Sequence, residues 1–129
     1  MKYGSHIDNP FMSTGRADLS FTIFLSSKEN YDGGALLIES FNSEKKFKLE
    51  AGEIIIYPST YLHSVEEVIA GERLVFIGWI ESYVKSIEER EYLFDLDAAA
   101  RSLLAKYGRS EEVDLIFKSY SNLLRRLGS

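Results

Sequence analysis

The chain has 129 residues, 45% of them hydrophobic and 27% charged, which suits one folded domain with a hydrophobic core. Its net charge is −5 and no face is visibly basic, so nucleic-acid and anionic-membrane binding have no electrostatic support. The chain has no cysteine, which excludes disulfides, iron–sulfur clusters and thiolate-rich zinc sites.

The first two-thirds of the chain have the composition and period of short β-strands. Runs rich in β-branched and aromatic residues cover 19–25, 35–39, 47–57 (broken at Ala51-Gly52) and 74–80. The last of these is continuously apolar, which predicts a buried strand. Short strands separated by glycine-containing turns predict a mainly β fold of the sandwich or jelly-roll type.

After residue 84 the period changes to that of helices. Apolar residues recur at helical spacing from Leu93 to Tyr107 and again from Val113 to Leu127, with Gly108 as a stop between them. We therefore predict a β core over 1–84 that holds the functional site. Residues 85–129 are predicted to form a C-terminal helical extension that packs on the same domain as a structural support.

The two histidines of the chain are the main functional signal. His6 belongs to the triplet His6-Ile7-Asp8, and residues i and i+2 of an extended segment point to the same side. His6 and Asp8 can therefore face one metal ion while Ile7 packs on the other side. Alone, the triplet has an ordinary alternative, because a surface polar pair near a chain end would look the same.

His63 and Arg73 complete the pattern. His63 follows a strand-forming run and the turn that begins at Pro58, and it is predicted to start the next strand. Two imidazoles and one carboxylate form the facial triad that binds Fe(II) in oxygenases. Arg73 is predicted in the following strand, where its planar guanidinium would bind a ligand carboxylate. The alternatives are a structural histidine and a surface ion pair of Arg73.

This pattern resembles the Fe(II)/2-oxoglutarate-dependent dioxygenases of the prolyl 4-hydroxylase type, and among them the bacterial PKHD-type hydroxylases. The similarity runs from residue 6 to about residue 126. The stretches that carry it are HIDNP, RADLSFTIFLS, YDGGALLIE, LEAGEIIIYPSTYLHSVEEV, GERLVFIGWIESYV, LFDLDAA and NLLRR.

The resemblance implies a double-stranded β-helix, a cupin-like jelly roll with the metal at its mouth. By position, His6, Asp8 and His63 would bind Fe(II), and Arg73 would bind the distal carboxylate of the co-substrate 2-oxoglutarate. Trp79 would line the pocket as a further co-substrate contact, and Tyr57 is a weaker candidate for the same role. Ascorbate (vitamin C) is a further cofactor candidate.

The resemblance also implies a small-molecule or peptide substrate whose carbon–hydrogen bond is hydroxylated. Family members have a longer region before the H-x-D triplet, which supplies helices and an early strand, whereas five residues precede His6. A truncated or minimal form, another element, or a second subunit that completes the barrel as a homo-oligomer would account for this departure. The alternative functions are a degenerate barrel acting as a binding or oligomerisation module, and a cupin-like metal protein of another kind.

The predicted location is cytoplasmic. No apolar run approaches the roughly 18 residues of a membrane span. The segment that begins at Met1 and Lys2 lacks the apolar region of a signal peptide.

Overall fold

The computed structural model describes residues 3–129, so Met1 and Lys2 of the segment examined for a signal peptide lie outside the described residues. The fold is mainly β with two C-terminal helices, as predicted. The strands are β1 (Tyr3–His6), β2 (Phe11–Met12), β3 (Gly15–Arg16), β4 (Leu19–Phe24), β5 (Tyr31–Gly33), β6 (Leu36–Ser40), β7 (Ser43–Phe47), β8 (Ile54–Pro58), β9 (Leu62–Val65), β10 (Val68–Gly71) and β11 (Val75–Ile80). A short 3-10 turn, Lys28–Asn30, precedes β5, and the helices are α1 (Ile87–Tyr107) and α2 (Glu111–Leu127).

Two antiparallel sheets form the β unit. The first has the order β1-β9-β6-β7, and the second has the order β11-β4-β8. Two further two-stranded sheets pair β10 with β5 and β2 with β3. Leu36 and Ile38 of the first sheet and Tyr57 of the second form a buried cluster. The core of this unit therefore lies between the two sheets.

Strand β4 has an inverted burial pattern. Its small polar residues Ser20 and Thr22 are only 2% and 3% exposed, whereas the apolar Leu19, Phe21 and Ile23 are half-buried. Side chains alternate between the two faces of a strand, so the hydroxyl groups point into the space between the sheets. The interior of this unit is consequently polar along the middle of its second sheet.

Strand β11 corrects one prediction. The strand forms at Val75–Ile80, but Phe76 and Ile77 are 58% and 57% exposed, so the predicted burial of this run is wrong. Among the described residues β11 is an edge strand of its sheet, and its side chains lack neighbours on one flank. Arg73, which was predicted within a strand, lies in the connection that precedes β11.

The chain divides into two compact units, Met1–Glu81 and Ser82–Ser129. In the second unit, Ser86 and Ser110 cap the N-termini of the two helices by accepting hydrogen bonds from backbone N–H groups. Helix α1 ends at Tyr107, and the cap residue Gly108 has a φ of 76° and a ψ of −171°, a conformation that glycine adopts far more readily than other residues. The predicted helix stop is confirmed, while the packing of the helical segment on the sheets stays a prediction. Within the described residues, no helix is both long and apolar enough to cross a membrane.

Gly71 makes a close approach between β10 and β5, and alanine there is expected to lower the free energy of unfolding. A Cβ at Gly71 would collide with the backbone of Asn30 and Tyr31, and its φ of 80° disfavours a side chain. We expect a loss of about 2–4 kcal/mol, from left-handed strain and overpacking together. Urea unfolding of Gly71→Ala measures this loss.

Gly52→Ala is the matched control for this substitution. Its φ is 90°, yet nothing lies within 4 Å of a Cβ built there, so only the backbone strain of about 1–2 kcal/mol applies. Equal losses at the two glycines would show that the contact between β10 and β5 does not restrict Gly71.

Candidate metal centre

The register of β1 and β9 brings the two histidines together. His6 and His63 are directly paired in this antiparallel ladder, and side chains at paired positions lie on the same face. Their ring centroids are 4.3 Å apart. His63 is at the second position of β9 and is 6% exposed, whereas the side chain of His6 is 46% exposed. The imidazole of His63 is therefore buried inside the unit, and the imidazole of His6 lies on the solvent side of the site.

Asp8 joins the histidines although it lies beyond the end of β1. Its Oδ1 atom is 3.5 Å from Nε2 of His6 and 3.3 Å from Nε2 of His63. The backbone N–H of Asp8 donates to the carbonyl oxygen of Ser59 at 3.3 Å, which ties the residue to the turn after β8. The predicted grouping is thus present, but Ile7 is 54% exposed, so the prediction that it packs on the opposite side is wrong. The strand ends before Ile7, and no sheet covers it.

The hydrogen bonds of His6 and His63 both use Nδ1, which leaves Nε2 of each ring available to a metal. Nδ1 of His6 is 2.8 Å from the carbonyl oxygen of Gly4, and Nδ1 of His63 is 3.0 Å from that of Tyr61. Since a carbonyl oxygen only accepts, each Nδ1 carries a proton and donates it. The neutral ring then presents the lone pair of Nε2, which is the orientation of a metal-binding histidine.

The donor set fits a single divalent ion. The three ligand atoms all lie within 4.8 Å of one another. Two ligand atoms that are about 2.1 Å from one ion and at right angles to each other are about 3.0 Å apart. The separations from Oδ1 of Asp8 are close to this value. Two imidazoles and a carboxylate that converge from one side match the ligand set of a mononuclear non-haem iron site.

A cavity of about 270 Å³ opens beside the three ligands. Both sheets contribute to its wall, and so does Arg73 from the connection before β11. Trp79 and Tyr57, the two further pocket residues that the resemblance implied, also line the cavity. The remaining side chains are Ser20, Phe21, Thr22, Leu36, Val65, Val75, Ile77 and Gly78.

The phenol of Tyr57 is protonated at neutral pH. Burial raises its pKa to about 12, and the negative charge of Asp8 adds to this effect. A hydrogen bond with Thr22 and the positive charge of Arg73 act in the opposite direction. A protonated phenol beside a guanidinium gives this part of the cavity two donor groups, which together favour an anionic ligand.

The pKa of Tyr57 predicts a late step in an alkaline titration of the metal-free protein. The chain has seven other tyrosines, so comparison with Tyr57→Phe identifies the step that belongs to Tyr57. Because its folded pKa lies above the ordinary value of about 10, the unfolded chain loses this proton first. The free energy of unfolding should therefore fall as the pH rises from about 10 to about 12. Tyrosinate absorbance measures the step, and Tyr57→Phe should remove it; a wild-type curve without it would contradict the burial of the phenol.

Sequence reasoning missed the hydroxyl groups around Asp8. Ser20 donates to Oδ2 of Asp8 at 2.5 Å and lies 2.8 Å from the hydroxyl of Ser59. The available signal was the alternation in β4, where Ser20 and Thr22 occupy one face of an otherwise apolar strand. Small polar residues on the inward face of a strand indicate a polar interior.

Comparison with known proteins agrees with this geometry. The model of the 2OG-Fe(II) oxygenase superfamily matches residues 1–81. The chain belongs to this superfamily. A second model, the PKHD-type hydroxylase C-terminal domain, matches residues 88–128.

Similar curated proteins include PKHD-type hydroxylases of Prochlorococcus marinus. The protein of strain MIT 9215 is 80% identical over 128 residues, and the match covers 99% of this chain and 58% of the relative. That of strain MIT 9312 is 78% identical over 129 residues and covers 100% of this chain and 58% of the relative. The chain therefore spans little more than half the length of these curated relatives.

Two solved structures share the fold. An oxidoreductase of the 2OG-Fe(II) oxygenase family from Burkholderia pseudomallei is 25% identical, with a TM-score of 0.51 over 60% of this chain and 36% of that chain. A prolyl 4-hydroxylase structure from Phytophthora capsici is 14% identical, with a TM-score of 0.50 over 96% of this chain and 51% of that one. The predicted jelly-roll fold is confirmed by these neighbours.

Proposed function

We propose that this chain carries the active site of an Fe(II)/2-oxoglutarate-dependent dioxygenase that hydroxylates an unactivated carbon–hydrogen bond. The observation that carries the proposal is the convergence of His6, Asp8 and His63 at a cavity that Arg73 also lines. When bound, Fe(II) and 2-oxoglutarate supply the activation of O₂ for hydroxylation, coupled to decarboxylation of 2-oxoglutarate to succinate.

In this proposal, different residues bind the metal and the co-substrate. His6 and His63 offer Nε2, and Asp8 offers Oδ1, to hold the metal. Arg73 would bind the distal carboxylate of 2-oxoglutarate by two parallel, charge-assisted hydrogen bonds. The protonated Tyr57 is a further donor to that anion. The predicted contact of Trp79 with the co-substrate stays a prediction.

The apolar part of the wall has a separate role. Leu36, Val65, Val75 and Ile77 line the cavity beside the polar groups. A largely apolar wall keeps water from the reacting centre and strengthens the pairing of Arg73 with an anion. Substrates to be screened are free amino acids, peptides and small metabolites, because the residues of the site do not distinguish among them.

The test is an anaerobic titration of the purified chain with Fe(II) and 2-oxoglutarate. We expect a weak metal-to-ligand charge-transfer band, followed by succinate release when O₂ and a substrate are added, with ascorbate present to keep the iron reduced. A well-folded sample that shows neither the band nor succinate would overturn the proposal. If that sample also binds no Fe(II), the alternative is favoured, a barrel that acts as a binding or oligomerisation module.

A further inference from the structure

The carboxylate of Asp8 has two oxygens in different surroundings. Oδ2 accepts a hydrogen bond from the hydroxyl of Ser20 at 2.5 Å and another from the indole N–H of Trp79 at 2.9 Å. Oδ1 faces the Nε2 atoms of His6 and His63. One oxygen is thus held by protein donors, and the other is directed to the position of the metal.

The donors come from one row across the second sheet. Ser20 of β4 is paired with Trp79 of β11 on one side and with Tyr57 of β8 on the other. Ser59 lies two residues beyond Tyr57, just after β8. Two strands, β4 and β11, therefore supply the donors to this carboxylate, and the turn after β8 supplies the partner of Ser20; rigid strands position a group more accurately than loops do.

The hydrogen bond between the hydroxyls of Ser20 and Ser59 has a defined donor. Ser20 has one hydroxyl proton, and the short contact with Asp8 uses it. The hydroxyl of Ser59, 2.8 Å away, must then donate to Ser20. Both serines are almost completely buried, at 2% and 3% exposure, so water does not compete for these bonds. A donor that itself accepts a hydrogen bond is strengthened by it.

We propose that Ser20, supported by Ser59, and Trp79 are positioning residues that hold the Asp8 carboxylate so that Oδ1 alone contacts the metal. The inference rests on the proposed function in placing a metal at His6, Asp8 and His63. Without the donors, the carboxylate is free to rotate and to present either oxygen or both. Outer partners of this kind typically contribute a factor of about 10–100 to metal affinity.

The first experiment compares metal affinities of the full chain by calorimetry, with Mn(II) alone as an air-stable probe. Ser20→Ala should weaken binding by about 10–100-fold, and Ser20→Thr, which keeps the hydroxyl, should stay within about threefold of the wild type. Trp79→Phe keeps an aromatic side chain, although a smaller one, and removes the N–H; it should weaken binding by about tenfold. Ser26→Ala is the matched control, because its hydroxyl accepts from the backbone of Leu74 and not from this site.

The second experiment uses the single tryptophan of the chain as a spectroscopic reporter. Its indole N–H gives one signal in a proton–nitrogen NMR spectrum without any assignment. In metal-free protein the indole proton should move upfield in Asp8→Ala, which removes its acceptor. It should move downfield in Ser20→Ala, where Trp79 becomes the stronger donor to Oδ2. A purely structural role of Ser20 would not produce opposite shifts.

The outcomes separate this inference from the function on which it rests. A wild type that binds Mn(II) tightly, together with Ser20→Ala and Trp79→Phe variants that bind equally well, overturns the inference alone. So does equal weakening in Ser20→Ala and Ser20→Thr, since the hydroxyl would then not be the cause. A folded wild type that binds no divalent metal overturns the proposed function and the inference together.

Discussion

Replacement of Asp8 by alanine is expected to weaken Fe(II) binding by more than a hundredfold. The substitution removes the only negatively charged group among the three ligands. It also leaves the donors Ser20 and Trp79 without their acceptor. Loss of an outer partner alone costs about 10–100-fold, and loss of a ligand should exceed that. Anaerobic calorimetry with Fe(II) measures the change, and succinate release should fall with it.

A carboxylate outside the site provides the control for this prediction. Glu66 pairs with Lys46 at 2.7 Å on the exposed side of the β unit. Glu66→Gln should leave the affinity for Fe(II) unchanged, because a surface pair of this kind contributes little beyond its own contact. If Asp8→Ala bound Fe(II) within about threefold of the wild type, the assignment of the three ligands would be wrong.

Replacement of Arg73 by alanine is expected to raise the dissociation constant for 2-oxoglutarate and to leave metal affinity intact. Loss of one partner of a buried, hydrogen-bonded charge pair costs about 2–5 kcal/mol. This corresponds to weakening by about 30-fold to 4,000-fold, at about 1.4 kcal/mol for each factor of ten. Arg73→Lys keeps the charge but lacks the two-pronged geometry, so an intermediate loss is expected. The charge-transfer band of the iron complex measures the affinity for 2-oxoglutarate, and calorimetry with Mn(II) alone measures the metal affinity.

A second ligand makes the Arg73 prediction specific. 2-Oxopentanoate has the same chain length as 2-oxoglutarate and lacks the distal carboxylate. The wild type should prefer 2-oxoglutarate strongly, and Arg73→Ala should lose most of that preference. An unchanged preference would show that another group binds the distal carboxylate. If the wild type binds Fe(II) but does not bind 2-oxoglutarate, a cupin-like metal protein of another kind becomes the better description.

The ligand grouping could be predicted from the sequence because few residues were available for it. The chain has two histidines, and the triplet around His6 places a carboxylate two residues from one of them. A strand after the turn at Pro58 was enough to bring His63 to the same region. The antiparallel register of β1 and β9 places His6 opposite His63, and this register depends on contacts that are distant in sequence.

Other details could not be read from local pattern. The run 74–80 is apolar enough for a buried strand. Its exposure depends on the position of β11 at the edge of its sheet, which the run itself does not show. Ile7 lies just beyond the paired residues of β1, and pairing with a strand that is distant in sequence cannot be read from the triplet around His6. The contact between Ser20 and Asp8 joins residues twelve positions apart, and a single serine in a strand gives no indication of its partner.

The position of β1 has a further consequence for how the site is assembled. Within residues 3–129, β1 pairs only with β9, and it supplies His6 from the edge of its sheet. A metal held by His6, Asp8 and His63 would therefore fasten an edge strand to its neighbour, and its binding energy would add to the stability of that pairing. Amide hydrogen exchange in β1 should consequently slow when metal is added, much more than exchange in the central strand β4. Loss of iron would then first cause local unfolding of β1, before the rest of the β unit is affected.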